Sequence, residues 1–172
     1  MTTTETVILG IGNTLLSDEG VGVQLIDFIK HHSPRIAAHT LVDGGTLSFT
    51  LAGYLADATR LVVIDAAELD KPAGTVQVFE GPDMDRFAGR TRRSVHSVGL
   101  ADLLAIAHLG GHVPVCRALV AIQPLVVDWG QQLSAPLQAA RQRVVREIEL
   151  LLERWDAQHA ECGVQSAAGA GC

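Results

Sequence analysis

The chain has 172 residues, of which 48% are hydrophobic, 19% charged and 4% aromatic, and its formal net charge is −6. This composition predicts a globular domain with a substantial core, excludes a disordered chain, and with its acidic balance argues against nucleic acid as a partner. No apolar run reaches the roughly 18–20 residues that cross a bilayer, and the N-terminus lacks the basic region of a signal peptide.

Apolar, β-branched runs alternate along the chain with amphipathic segments of helical period. Asp18 is expected to cap the first helix and Ser134 the last, and residues 81–95 are expected to form a polar loop. The predicted strands are residues 6–12, a short strand ending at 41–42, and residues 60–65, 75–80 and 115–124. The predicted helices are residues 20–30, 47–55, 98–109 and 134 to about 155.

The connection between the third and fourth predicted strands decides their relative direction. Residues 66–74 provide only nine residues, whereas a crossover between parallel strands needs at least about 10–12. The fourth strand should therefore run antiparallel to the others. The order of elements predicts an α/β fold, a three-layer α/β/α sandwich with a mostly parallel sheet.

We expect residues 1–156 to form a single α/β domain and residues 157–172, which are small and rich in glycine and alanine, to form a flexible tail. His159 and Cys162 are spaced like half of a metal site, but they belong to this tail and are assigned no function. The three cysteines, which include Cys116 and Cys172, form no C-x-x-C pair, so we expect a reducing, cytoplasmic compartment. The lack of a membrane-spanning apolar run leads us to expect no membrane partner.

Polar side chains stand where the predicted strands end. Glu19 follows the first strand, Asp43 follows the second, Asp65 closes the third, and His96 lies in the loop before a helix. Ligands bind at the carboxyl edge of an open α/β sheet, so these side chains can converge there. Carboxylate and imidazole donors suit a borderline divalent ion such as nickel, zinc or manganese. The acidic pair beside a Gly-x-Gly turn is therefore interpreted as facing a cation.

Each of these residues also has a structural explanation. Glu19 favours a helix N-terminus electrostatically, Asp43 before two glycines can form a turn, and a loop histidine such as His96 is commonly a surface residue. Asp65 is harder to explain in this way, because a carboxylate at the end of a buried strand needs a partner.

Other polar features receive a structural interpretation. His108 and His112 flank a Gly-Gly helix end, where a cation suits the helix dipole. Arginines at 86, 90, 92 and 93 are interpreted as a solvated surface, with contact to an acidic partner as the alternative. Cys116 is predicted in mid-strand, where its thiol would be buried. The glycines of GIGN and DGGT leave bare backbone that an extended peptide could approach.

The segments GIGNTLLSDEGVGV, DGGT, VVIDA and HSVGLADLL together resemble the hydrogenase maturation endopeptidases, over about residues 6–155. The resemblance implies a phosphorylase/hydrolase-like fold, a twisted five-stranded sheet between helices with one antiparallel strand. It also implies a monomeric endopeptidase that removes the C-terminal extension from the large-subunit precursor of nickel–iron hydrogenases.

By position, the resemblance implies that Glu19, Asp65 and His96 bind metal, that Glu19 and Asp65 also serve catalysis, and that Asp43 contributes to activity. The nickel is expected to arrive in the precursor as the recognition signal, and not to be held tightly by the protease. The chain has no G-x-S-x-G and no H-E-x-x-H motif. We therefore expect the ion to polarise the scissile carbonyl or a water, with Asp43 transferring a proton or orienting a group.

Two other functions are compatible with the sequence. A metallohydrolase that acts on a small substrate would hold its own divalent ion tightly through purification in metal-poor buffer. A non-catalytic, Rossmann-like module would bind NAD or ATP saturably. Leu15 in the place of the third glycine, and the acidic pair beside it, argue against this second alternative.

Overall fold

The computed structural model describes residues 5–46, 51–56, 58–90 and 100–168. In these ranges the strands are β1 Thr6–Ile11, β2 Thr40–Gly45, β3 Arg60–Ala66, β4 Val76–Glu80 and β5 Cys116–Ile122. The helices are α1 Val21–His32, α2 Pro34–Ala37, α3 Ala52–Ala56, α4 Pro82–Arg90, α5 Leu100–Leu109 and α6 Ala135–Ala168, with a 3₁₀ turn at Ser17–Gly20 before α1.

The five strands form one sheet in the order β2-β1-β3-β5-β4. β1 pairs in parallel with β2 and β3, and β3 pairs in parallel with β5. β4 runs antiparallel to β5 and forms an edge of the sheet. The mostly parallel sheet with one antiparallel strand is therefore confirmed, and the short connection after β3 is the physical reason for the reversal.

Side chains alternate between the two faces of the sheet and build two cores. Ile8, Val62 and Val120 face a cluster that includes α1 and α6. Their neighbours Val63 and Leu119 face a cluster formed with α3, α4 and α5. Because helices cover both faces, the central strands are apolar throughout, as is typical of parallel sheets. The predicted three layers are confirmed.

Residues 82–90 form α4, so the prediction of a polar loop over residues 81–95 is wrong in this part; residues 91–95 lie outside the described residues. Met84 and Ala88, four residues apart, are buried against the sheet. Asp85 accepts hydrogen bonds from the Arg117 guanidinium of β5. Phe87 packs against the same core, so Met84, Phe87 and Ala88 have the i, i+3, i+4 spacing of a helix face. The polar residues around this short pattern led to the prediction of a loop.

Helix α6 continues to Ala168, so the prediction that it ends at about Trp155 is wrong. Trp155 is the last buried side chain among residues 135–160, and residues 156–160 are exposed. In residues 156–160, alanine and glutamine sustain helical backbone although their side chains face solvent. The division of the chain into a domain and a flexible tail stays a prediction. No helix within the described ranges is long and apolar enough to span a bilayer.

Candidate active site

Close backbone packing places the start of α1 against the carboxyl edge of the sheet. A β-carbon at Gly22 would lie 2.2 Å from the carbonyl oxygen of Ile64 in β3 and 2.4 Å from that of Ile11 in β1. A β-carbon at Gly10 would lie 2.2 Å from the Gly22 carbonyl oxygen. Glycine alone permits these approaches. They bring the 3₁₀ turn that carries Glu19 onto the strand that ends in Asp65.

Gly12 is held by the same turn. Its φ is +134°, and a β-carbon there would lie 1.9 Å from the carbonyl oxygen of Glu19. The glycines of GIGN therefore serve contacts within the chain, and the expectation that they leave backbone bare for another peptide is wrong. In DGGT, Gly45 has φ +48°, and among the described residues a β-carbon there would meet Asp43 Oδ1, at 3.9 Å.

The Glu19 and Asp65 carboxyls lie close enough to influence each other. Burial raises the pKa of Glu19, and Glu19 Oε2 is buried without a hydrogen-bond partner. Burial also raises the pKa of Asp65 to about 8; a hydrogen bond from Ala66 opposes this effect, and the negative charge of Glu19 adds to it. Two poorly solvated carboxyls side by side repel each other when both are ionised. A proton or a cation between them would relieve the repulsion.

The donor chemistry of this pair fits a divalent ion, because Glu19 Oε2 is an acceptor without a donor. The turn that carries Glu19 packs on β3, and the charge of Glu19 acts on Asp65, so the two described members of the predicted trio lie at the same edge of the sheet. His96 lies outside the described residues. In the ranges that are described, no group of three or more His, Cys, Asp or Glu side chains is arranged to hold a metal ion.

Asp43 lies inside β2 and not after it, opposite Gly10 of β1. Gly10 in turn pairs with Ile64 of β3, so Asp43 and Asp65 lie at nearly the same level of the sheet. Two strand spacings separate their backbones by about 10 Å. Asp43 is exposed, and its Oδ1 accepts a hydrogen bond from the Gly45 amide at 3.0 Å. The expected turn therefore exists, with the carboxylate exposed to solvent.

Asp18 does not cap α1, which begins after Gly20 without a side-chain cap. Its buried carboxylate accepts hydrogen bonds from the amides of Leu125, Val126 and Ser134 and from the Ser134 hydroxyl. Burial raises the pKa of Asp18, but these hydrogen bonds outweigh it and hold the pKa below its ordinary value. Asp18 thus fastens the segment after β5 to the turn that carries Glu19, a role the sequence analysis missed.

Ser134 precedes α6 as predicted, yet its hydroxyl donates to Asp18. Its carbonyl oxygen accepts the first amides of the helix, from Leu137 and Gln138. The capping contribution of this residue therefore comes from its backbone. The partners of Asp18 lie 107 to 116 residues away in the sequence, so no local sequence motif predicts these hydrogen bonds.

The remaining predicted residues that the structure describes belong to other parts of the fold. His108 and His112 flank the end of α5, where Gly111 has φ +71° and the His112 amide bonds to the Ala107 carbonyl. Arg86 and Arg90 lie exposed on α4; the other two arginines, at 92 and 93, and Cys172 lie outside the described residues. Cys116 begins β5 and is of intermediate exposure, so its expected mid-strand position is wrong.

The family model described as HycI, hydrogenase maturation protease, matches residues 23–150. The hydrogenase expression/formation protein HupD of Rhizobium leguminosarum bv. viciae is 32% identical over 151 residues, which cover 87% of this chain and 74% of HupD. The hydrogenase 2 maturation protease of Escherichia coli strain K12 is 29% identical over 161 residues, 93% of either chain. The chain belongs to the hydrogenase maturation protease family.

Solved structures support the same fold for this protease. The hydrogenase maturating endopeptidase HybD from E. coli matches with a TM-score of 0.79 at 24% identity, covering 87% of this chain and 93% of HybD. The [NiFe] hydrogenase maturation protease HybD from Thermococcus kodakarensis matches with a TM-score of 0.72 at 26% identity, covering 86% and 98%. The predicted family, fold class and peptidase activity are confirmed.

Proposed function

We propose that this protease removes the C-terminal extension from the large-subunit precursor of a nickel–iron hydrogenase, and that nickel already in the precursor is its recognition signal. The names of the family and of the HybD structures support hydrogenase maturation as the process. The protease acts as a monomer in the cytoplasm, on a precursor whose nickel belongs to the substrate.

The proposal that the site binds the nickel of the precursor rests on the buried carboxylate of Glu19. Its Oε2 is buried without a donor, and Asp65 beside it has a pKa of about 8, raised by burial and by Glu19. This pair is costly to ionise in the free protease, so it gains most from a cation that arrives with the substrate. Transient binding of the substrate's nickel agrees with this arrangement better than a permanently loaded site does.

Glu19, Asp65 and His96 would hold the ion, and a bound divalent ion at this edge would polarise the scissile carbonyl or a water. Asp43 lies about 10 Å from Asp65 along the sheet and faces solvent. There its carboxylate can accept a proton from an attacking water or orient the peptide that is cleaved.

The test is incubation of the protease with nickel-loaded and nickel-free large-subunit precursors, followed by C-terminal mass measurement. We expect cleavage of the nickel-loaded form only. Glu19→Gln, Asp65→Ala and His96→Ala should abolish cleavage while the variants stay folded, and Asp43→Asn should lower it.

The matched control is Glu153→Gln, which removes an exposed carboxylate of α6 that pairs with Arg35 on the surface. It should cleave like the unmodified protease. Cleavage retained by Asp65→Ala or His96→Ala would remove the trio from the mechanism. Equal cleavage of nickel-free precursor would remove nickel as the signal but leave the protease activity in place.

A further inference from the structure

Two neighbouring loops at the carboxyl edge of the sheet expose large apolar side chains. One loop follows β1 and the other follows β5. The exposed side chains, which we call the apolar rim, are Leu15 (48% exposed), Leu125 (62%), Val126 (42%), Val127 (54%) and Trp129 (80%). Apolar side chains clustered in this way on a globular protein mark a contact surface.

Backbone hydrogen bonds join the two loops and hold the rim in place. The Gly130 amide donates to the Leu15 carbonyl at 2.9 Å, and the Ser17 amide donates to the Gly130 carbonyl at 2.7 Å. The Ser17 hydroxyl donates to the Asp128 carbonyl at 2.9 Å. The rim is therefore formed before any partner arrives, which lowers the entropy cost of docking.

The rim is continuous with the acidic pair. Asp18 accepts hydrogen bonds from the Leu125 and Val126 amides at 2.9 and 3.1 Å, and Glu19 is the next residue along the chain. Leu125 also follows the carboxyl end of β5, which pairs with the strand that ends at Ala66, beside Asp65. A polypeptide whose scissile bond lies at the acidic pair would thus cover the rim with residues close to that bond.

We propose that the apolar rim is the docking surface for an apolar stretch of the precursor next to its scissile bond. This inference rests on the proposed function. The partner should be apolar because residues 125–130 contain one charged side chain, Asp128, and its Oδ1 already accepts the Trp129 amide at 2.7 Å. Trp129 has the size and rigidity of the side chains that dominate binding energy in protein interfaces.

The test compares identical substitutions at the two ends of the sheet. Leu125→Ser and Val127→Ser alter the rim. Leu109→Ser and Val115→Ser are the matched controls, because these side chains are 90% and 87% exposed and lie before β5, at the opposite edge. Each variant is assayed with the nickel-loaded precursor that the unmodified protease cleaves, and kcat and KM are determined separately.

We expect each rim variant to raise KM by about tenfold and Trp129→Ser to raise it further, with kcat nearly unchanged. The two controls should stay within about twofold of the unmodified protease, as expected for surface substitutions away from an interface. Val127→Leu, which keeps an apolar side chain, should retain normal KM. Urea unfolding midpoints establish that all variants are folded, since the altered side chains are exposed.

Equal KM values in rim and control variants would overturn the docking surface. So would a fall in kcat alone, which would assign these residues to the geometry of the site. Loss of self-association in the rim variants with unchanged cleavage would assign the rim to a second copy of this chain. If the unmodified protease cleaves no precursor, the proposed function fails instead, and this failure is distinct from the others.

Discussion

Replacing Asp65 by asparagine removes a carboxyl that the fold holds in its protonated form. Burial and the charge of Glu19 raise its pKa from 3.8 to about 8. Each pKa unit corresponds to about 1.36 kcal/mol, so the interval from 3.8 to pH 7 corresponds to about 4 kcal/mol of lost stability in the free protein. Asp65 is of intermediate exposure, and solvent screening reduces the expected value to about 2–4 kcal/mol.

The sign of the effect follows from proton binding. Between pH 4 and pH 8 the folded protein retains a proton at Asp65 that the unfolded chain has released. The stability that the protonated carboxyl contributes is therefore complete at low pH and is lost as the pH rises towards 8. Asp65→Asn has no such proton to lose, and its amide oxygen can still accept the Ala66 amide. The variant should match the unmodified protein near pH 4 and exceed its stability at pH 7.

The measurement is urea unfolding of both proteins in EDTA at intervals from pH 4 to pH 8, followed by the fluorescence of the buried Trp155. The difference in unfolding free energy between the two proteins is the quantity of interest, because groups that do not interact with Asp65 contribute equally to both. It reports the titration of Asp65 together with that of Glu19, whose charge acts on it. A difference that stays constant with pH would refute the assignment of Asp65 as a desolvated carboxyl beside Glu19.

Two further predictions concern neighbouring residues. Asp18→Asn should destabilise the protein by about 3–5 kcal/mol at pH 7, because it replaces a buried charged acceptor by an amide among donors. The ionised Asp18 stabilises the fold at pH values above the ordinary pKa of an aspartate, and this contribution is lost as the pH falls through the lowered pKa of the folded protein. The difference in stability between Asp18→Asn and the unmodified protein should therefore shrink at acid pH, and a difference that grows there would contradict this. Gly12→Ala should cost more than about 2 kcal/mol, because its β-carbon would lie 1.9 Å from the Glu19 carbonyl oxygen. Gly89→Ala, where no atom of the described residues lies within 4 Å, is the control, and similar urea midpoints for both variants would contradict the strain at Gly12.

Much of the site could be predicted from the positions of strand ends. Glu19 and Asp65 are expected at one edge because the carboxyl ends of parallel strands meet there, and the structure packs the turn that carries Glu19 against the strand that contains Asp65. Asp43 lies at the same level, but inside its strand. His96 lies outside the described residues, so the complete trio stays a prediction.

The sequence by itself determined the strands, the antiparallel direction of β4 and the family, because these depend on side-chain period, on connection length and on short motifs that are local in the chain. The spacing of Met84, Phe87 and Ala88 is compatible with a helix over residues 82–90, but only the tertiary structure decided that these side chains pack together in the core. It also decided that Asp18 binds Leu125, Val126 and Ser134 across more than 100 residues. Such contacts depend on the path of the whole chain, and local residue patterns do not encode that path.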